Sequence, residues 1–227
     1  MSVRGASSDD GTGSVPKLIM GIDPGTNYTG YGLLAIEGTA IKCVALGYID
    51  IAKMSDPYQK LRHIFERVSA LIGEFAPDEA AFESPFFGEN VQSMLKLGRA
   101  QGVAMAAALV RGLPVFEYPP RLVKQSITGN GAASKEQVAA ILGKLLKIEY
   151  SPTKLDATDG LAVALCHHFQ SEHRLRDNLN LSTNQMSVRG SSSNSGAAAG
   201  GSKPKRSAKT WKTFVGANPE RIIKTKK

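Results

Sequence analysis

Leu18-Ile19-Met20-Gly21-Ile22-Asp23-Pro24-Gly25-Thr26 is an apolar run that ends in an acid and a tight turn. The unbroken apolar character of 18–23 predicts a buried strand, and Pro24-Gly25 predicts the turn that closes it. Asp is a poor strand residue, and a carboxylate at the end of a buried segment is costly unless something positive pairs with it. Asp23 alone also fits a turn-initiating Asp before Pro-Gly. The continuation through Thr29 and Gly30 is more specific. Gly25 and Gly30 predict tight turns and close approach by a phosphate backbone.

Working outward, residues 31–36 and 41–51 read as two further strands joined by Gly-rich turns, an antiparallel meander. Residues 57–75 read as a helix with Leu61, Ile64, Phe65, Val68, Leu71 and Ile72 on one face. A short strand is predicted over 79–84, a Gly- and Ala-rich helix over 91–111, and a strand over 113–118. Helices follow over 121–127, 134–146 and 155–169. This is an α/β pattern, expected to form one domain over 17–170. Residues 1–16 are Ser-, Gly- and Asp-rich and expected to be disordered. Residues 171–202 are expected to be a flexible linker and 203–227 a basic tail with Trp211 and Phe214 interleaved.

The net charge of +8 is not spread along the chain. Residues 171–227 hold 12 Lys or Arg against 3 Asp or Glu, whereas residues 1–170 hold 16 against 17. A nucleic-acid surface on the domain must therefore come from local basic patches, not from a global field. Two cysteines, Cys43 and Cys166, lack metal-ligand spacing, which points to a reducing compartment. No apolar run is long enough to span a bilayer, and residues 1–14 lack a hydrophobic signal region. A cytoplasmic protein with no membrane partner is expected.

Three more acids sit at the ends of apolar segments: Glu83 after Ala80-Ala81-Phe82, and Asp156 and Asp159 at the start of the last helix. Asp156 and Asp159 are three apart, share a helix face, and flank the stripe Leu155, Ala162, Leu165 and Phe169. As a pair they fit first-turn solubilising acids equally well. Converging with Asp23 and Glu83, they would make an oxygen site for Mg²⁺, a hard cation, and suggest phosphodiester hydrolysis.

Several motifs together resemble the RuvC-type Holliday junction resolvases. They are Met20-Gly21-Ile22-Asp23-Pro24-Gly25 through Thr29-Gly30-Tyr31-Gly32, then Phe82-Glu83-Ser84-Pro85-Phe86-Phe87, then Leu95-Lys96-Leu97-Gly98-Arg99-Ala100-Gln101-Gly102. Pro114 to Tyr118, Val123-Lys124-Gln125 and Asp156-Ala157-Thr158-Asp159 complete the set, in the family's order across 18–170. The resemblance implies a ribonuclease-H-like fold, a five-stranded mixed sheet flanked by helices. It implies a homodimer that cuts four-way DNA junctions by paired symmetric nicks, leaving 5′-phosphate and 3′-hydroxyl ends, in recombination and repair. It also implies a RuvA-RuvB type branch-migration partner.

By the same resemblance, Asp23, Glu83, Asp156 and Asp159 match the four catalytic acids. They would hold two Mg²⁺ ions per site, with Mn²⁺ an alternative. Asp23 would bridge the ions, and Asp156 or Asp159 would complete the second. Lys124 and Lys135 match basic positions beside the scissile phosphate, and Phe86 matches an aromatic that stacks on bases near the junction centre. Read singly, the lysines are surface residues and Phe86 a core one. The Gly/Ala helix is expected to pack on the sheet and to contribute to the dimer.

Resolvases of this type usually stop soon after Phe169, so 171–227 stands out, either as a solubilising extension or as a nonspecific DNA tether. Two other readings compete. One is a relative of the same fold with a different nucleic-acid substrate. The other is an actin- or sugar-kinase-like nucleotide-binding protein, which needs a second domain and a second Gly-rich phosphate motif.

Overall fold

A computed structural model describes residues 15–85, 90–149 and 155–186, with side chains up to Leu175. Phe86, residues 1–14 and residues 187–227 lie outside the described residues, and with them the expectations for the N-terminal extension, the Gly/Ser-rich stretch and the basic tail.

The meander forms as expected. Strands β1 (Lys17–Asp23), β2 (Tyr28–Glu37) and β3 (Ala40–Asp50) pair antiparallel, with Lys17 opposite Ile36 and Asp23 opposite Gly30. Strand β4 (Glu79–Glu83) adds parallel to β1, and β5 (Val115–Tyr118) adds parallel to β4. The order is β3-β2-β1-β4-β5, a mixed five-stranded sheet.

Strand pleating then sorts the side chains by face. Leu18, Met20, Ile22, Ala80 and Phe82 join one core with α1 (Pro57–Phe75) and α2 (Val91–Leu109). Ile19, Ala81 and Tyr118 join the other, under α3 (Pro120–Thr128), α4 (Lys135–Leu146) and α5 (Asp156–Met186). The odd positions of β1 and β4 share this second face. Asp23 and Glu83 therefore emerge on the side of α5.

Local signals set the helix ends. The Asp56 side chain accepts from the Tyr58 N–H, Pro57 opens α1, and Ala76 closes it in the left-handed region with φ 45°. Ser134 and Gln137 form a reciprocal capping box at the start of α4. Along α1, Ile64, Val68, Leu71, Ile72 and Phe75 are buried, while Leu61 and Phe65 are half-buried.

The last helix departs from expectation twice. It is not striped: every residue from Ala157 to His167 is buried, because α5 lies across β1 and β2 and is walled by α3 and α4. It also continues to Met186, through the first half of the expected linker. Residues 171–186 contain neither Gly nor Pro, so nothing in the chain breaks the helix there. The helix thus runs past the expected domain limit at 170.

Glycines set how closely α5 approaches the sheet. A Cβ on Gly21 would lie 2.2 Å from the Gly160 carbonyl oxygen, and one on Gly30 would lie 1.9 Å from that of Asp156. Gly32 and Gly160 face the helix and the sheet in the same way. The close approach predicted at Gly30 is therefore made by the first turn of α5, not by a phosphate backbone.

Candidate active site

Three separate segments deliver acids to one cleft. Asp23 ends β1, Glu83 ends the parallel neighbour β4, and Asp159 reaches in from the first turns of α5. Asp23, Glu83, Asp159, Lys124 and Lys135 line it together. Asp156 stands at the rim with its side chain 39 % exposed, whereas that of Asp159 is only 11 % exposed. Thr158 ties the start of α5 by donating to the Leu155 carbonyl at 2.6 Å.

The electrostatics are those of crowded carboxylates. Burial, then the nearby charges of Glu83 and Asp159, push Asp23 well above the usual carboxylate range. Burial and Asp159 push Glu83 up to about 7. Burial raises Asp159 despite its bond to Lys135. Like charges brought together out of water favour protonation, or a cation.

The cation present is a lysine. Lys135, at the start of α4, donates to Asp159 and lies 3.7 Å from Asp156. Burial works against its charge, but its bond to Asp159 and the surrounding acids outweigh this and hold its pKa above the ordinary lysine range. Lys124, from α3, adds a second positive charge that lowers Glu83 and Asp159. Among the described residues no three acids close on one point as a finished coordination shell. The donor set nevertheless fits a hard divalent cation: all carboxylate oxygen, mutually repelling, and only partly compensated by an ammonium.

The sequence reading named seven residues for this site. Asp23, Glu83, Asp159, Lys124 and Lys135 come together, Asp156 joins at the edge, and Phe86 lies outside the described residues. What it gave no role is the scaffold behind Glu83. Buried Gln101 of α2 donates to the Glu83 carbonyl at 3.3 Å and to Glu117 Oε1 at 2.6 Å, fixing the end of β4. Its one signal was an amide set among the small residues Ala100, Gly102 and Ala104. Also without a role was fully buried His167, whose Nε2 lies 2.7 Å from Glu79 and whose Nδ1 lies 2.6 Å from the Tyr118 hydroxyl. Arg174 donates to that hydroxyl at 2.8 Å, and Lys17 pairs with Glu79 at 2.7 Å.

The chain matches the family described as crossover junction endodeoxyribonuclease RuvC over residues 19–167. It is 58% identical to the RuvC of Cytophaga hutchinsonii over 157 residues, 69% of this chain and 78% of that one. It is 49% identical to the RuvC of Porphyromonas gingivalis over 208 residues, 91% of this chain and 97% of the relative. The structure of T. thermophilus RuvC in complex with Holliday junction substrate is similar with TM-score 0.63 at 31% identity, covering 68% of this chain and 94% of that chain. A match of 208 residues must extend past residue 170. Sequence beyond the nuclease core is therefore not peculiar to this chain, contrary to expectation.

Proposed function

The chain belongs to the family of RuvC crossover junction endodeoxyribonucleases, and from that premise we propose that it resolves Holliday junctions by paired symmetric nicks at Asp23, Glu83, Asp156 and Asp159. Its fold is ribonuclease-H-like. The observation that carries the site assignment is the convergence of Asp23, Glu83 and Asp159, each held above its ordinary pKa, beside Lys124 and Lys135.

The family is metal-dependent. Two Mg²⁺ ions, or Mn²⁺ in their place, would supply an activated water and stabilise the leaving 3′ oxygen. Asp23, Glu83 and the Asp156–Asp159 pair would hold them. The bond formed joins the water oxygen to phosphorus, and the bond broken is P–O3′, which leaves 5′-phosphate and 3′-hydroxyl ends. Lys124 and Lys135 offset charge gathering on the phosphoryl oxygens. Lys135 exchanges its partners Asp159 and Asp156 for that phosphate. Phe86, three residues beyond Glu83 in the sequence, would stack on a base near the junction centre.

A two-fold dimer presents two such clefts to two strands of like polarity. One face of α2 supports this. Val91, Leu95 and Leu109 are exposed along it, and nothing lies within 4 Å of where a Cβ would sit on Gly98 or Gly102. Small residues there let a second α2 approach closely. A branch-migration complex of the RuvA-RuvB type is the expected partner, and the cytoplasm the expected compartment. Among the described residues no helix is long and apolar enough to cross a membrane.

The test is cleavage of a synthetic four-way junction with Mg²⁺. Symmetric, ligatable nicks are expected, with Asp23→Asn abolishing cleavage while junction binding persists. ATP hydrolysis with intact junctions would return the nucleotide-binding reading.

A further inference from the structure

Away from the acids, a groove of about 350 Å³ lies between the start of α1 and α2. Its floor is apolar, made by Ile51, Ile64 and Ala100, all buried. Its walls carry Lys60, Lys96 and Arg99. Among the described residues no carboxylate lines it. The adjacent Asp56 is turned back to cap α1, accepting from the Tyr58 N–H at 2.8 Å. Lys60 is braced by donating to the Thr26 carbonyl at 3.2 Å, and neither Lys96 nor Arg99 forms an ion pair among the described residues. Tyr58 stands over the groove with 76% of its surface exposed.

The groove adjoins the acid cleft along the chain. Its near wall is Gly25, Thr26 and Asn27, the loop that follows Asp23 and Pro24. Cations that pair with no carboxylate among the described residues, set over an apolar floor beside an exposed aromatic ring, suit a nucleic-acid strand. The cations take phosphates, and the floor and ring take sugar and base. In a domain whose first 170 residues carry no net positive charge, such a cluster is the local basic patch that DNA binding requires.

We propose that this α1–α2 groove is a second DNA-strand site, holding two or three phosphates of a junction strand that leaves the acid cleft over the Gly25–Asn27 loop. The proposal rests on the junction-resolving reading and adds a site to it. Lys96 and Arg99 contact phosphates outside the cleft, so they govern affinity and its salt dependence, not chemistry.

The experiment is junction binding in EDTA across a salt series, with full-length wild type and the double variant Lys96→Ala/Arg99→Ala. Each lost phosphate contact lowers the slope of log K against log salt by about 0.9, so the slope falls by roughly 2 and affinity by about 30-fold at 0.15 M salt. Single-turnover cleavage at saturating enzyme stays at the wild-type rate. In parallel, Ser93→Cys carrying a photo-crosslinker attaches to a junction strand outside the cut site. A wild-type slope in the double variant, or no crosslink to DNA, overturns the proposal. So does an affinity loss explained by a change in molecular mass at unaltered slope. A wild type that binds junctions but leaves them uncut refutes the junction-resolving reading instead.

Discussion

Gly30 and Asp156 meet backbone to backbone: a side chain on Gly30 would sit 1.9 Å from the Asp156 carbonyl oxygen. Gly30 is also the residue paired with Asp23 across β1 and β2. One glycine thus sets the separation between the acid at the end of a strand and the acids at the start of a helix.

Gly30→Ala therefore lifts the first turn of α5 off the sheet. We expect a stability loss of about 1–3 kcal/mol, typical of overpacking. Cleavage should fall further, by about 10²-fold, because acids displaced by an ångström lose productive geometry. Chemical denaturation and single-turnover cleavage measure the two effects. A variant that loses stability but keeps its rate shows that this spacing is not critical to the site.

Without metal, the acid cleft makes stability fall as pH rises. Glu83 has a folded pKa of about 7, above the ordinary carboxylate value, so the folded state binds its proton more tightly than the unfolded chain does. Its contribution is complete below the unfolded pKa, near 4.3, and is lost as pH rises through about 7. Asp23 and Asp159 act with the same sign. His167, whose pKa burial lowers, acts with the opposite sign. Thermal unfolding in EDTA should therefore show a lower melting temperature at pH 8 than at pH 5.5, with Mg²⁺ restoring it at pH 8. Glu83→Gln should reduce the difference. An EDTA profile unchanged by Glu83→Gln contradicts the assignment.

The network Lys17–Glu79–His167–Tyr118–Arg174 ties the starts of β1 and β4 to α5 and the end of β5. With His167 neutral, Nε2–H donates to Glu79 and the Tyr118 hydroxyl donates to Nδ1. His167→Ala removes both partners and leaves a cavity. A loss of about 2–4 kcal/mol is expected by denaturant unfolding. Junction affinity should be unaffected where the variant is folded.

The basic segment beyond α5 is testable now that the helix end is placed. Truncation after Met186 keeps α5 whole, whereas truncation at 170 would cut it. Residues 187–227 hold ten Lys or Arg. If they tether DNA, the truncated protein binds junctions with a shallower salt slope and an unchanged cleavage rate at saturation. Equal slopes reject the tether.

Much of this was legible in the sequence because periodicity and turn chemistry are local. The apolar run to Asp23, the Pro57 helix start and the Ser134 cap each announce themselves within a few residues. The acids were legible because a carboxylate closing an apolar segment contradicts its surroundings. What was not legible depends on partners distant in sequence. The α5 stripe became a buried cylinder only because α3 and α4 cover its outer side. Gly30 looked like room for a phosphate because nothing in the chain says that Asp156 will arrive there. His167 and Glu79, 88 residues apart, pair only once β4 and α5 are stacked.

The burial of residues 157–167 also fixes how Asp159 can open. Asp159 belongs to the most enclosed helix of the domain, so its amides exchange with solvent only when the sheet and its covering helices come apart together. A cleft built this way cannot lose Asp159 by fraying of a helix end. The acid cleft stays assembled whenever the domain is folded, and the decision to cut passes to the shape of the DNA that can reach it.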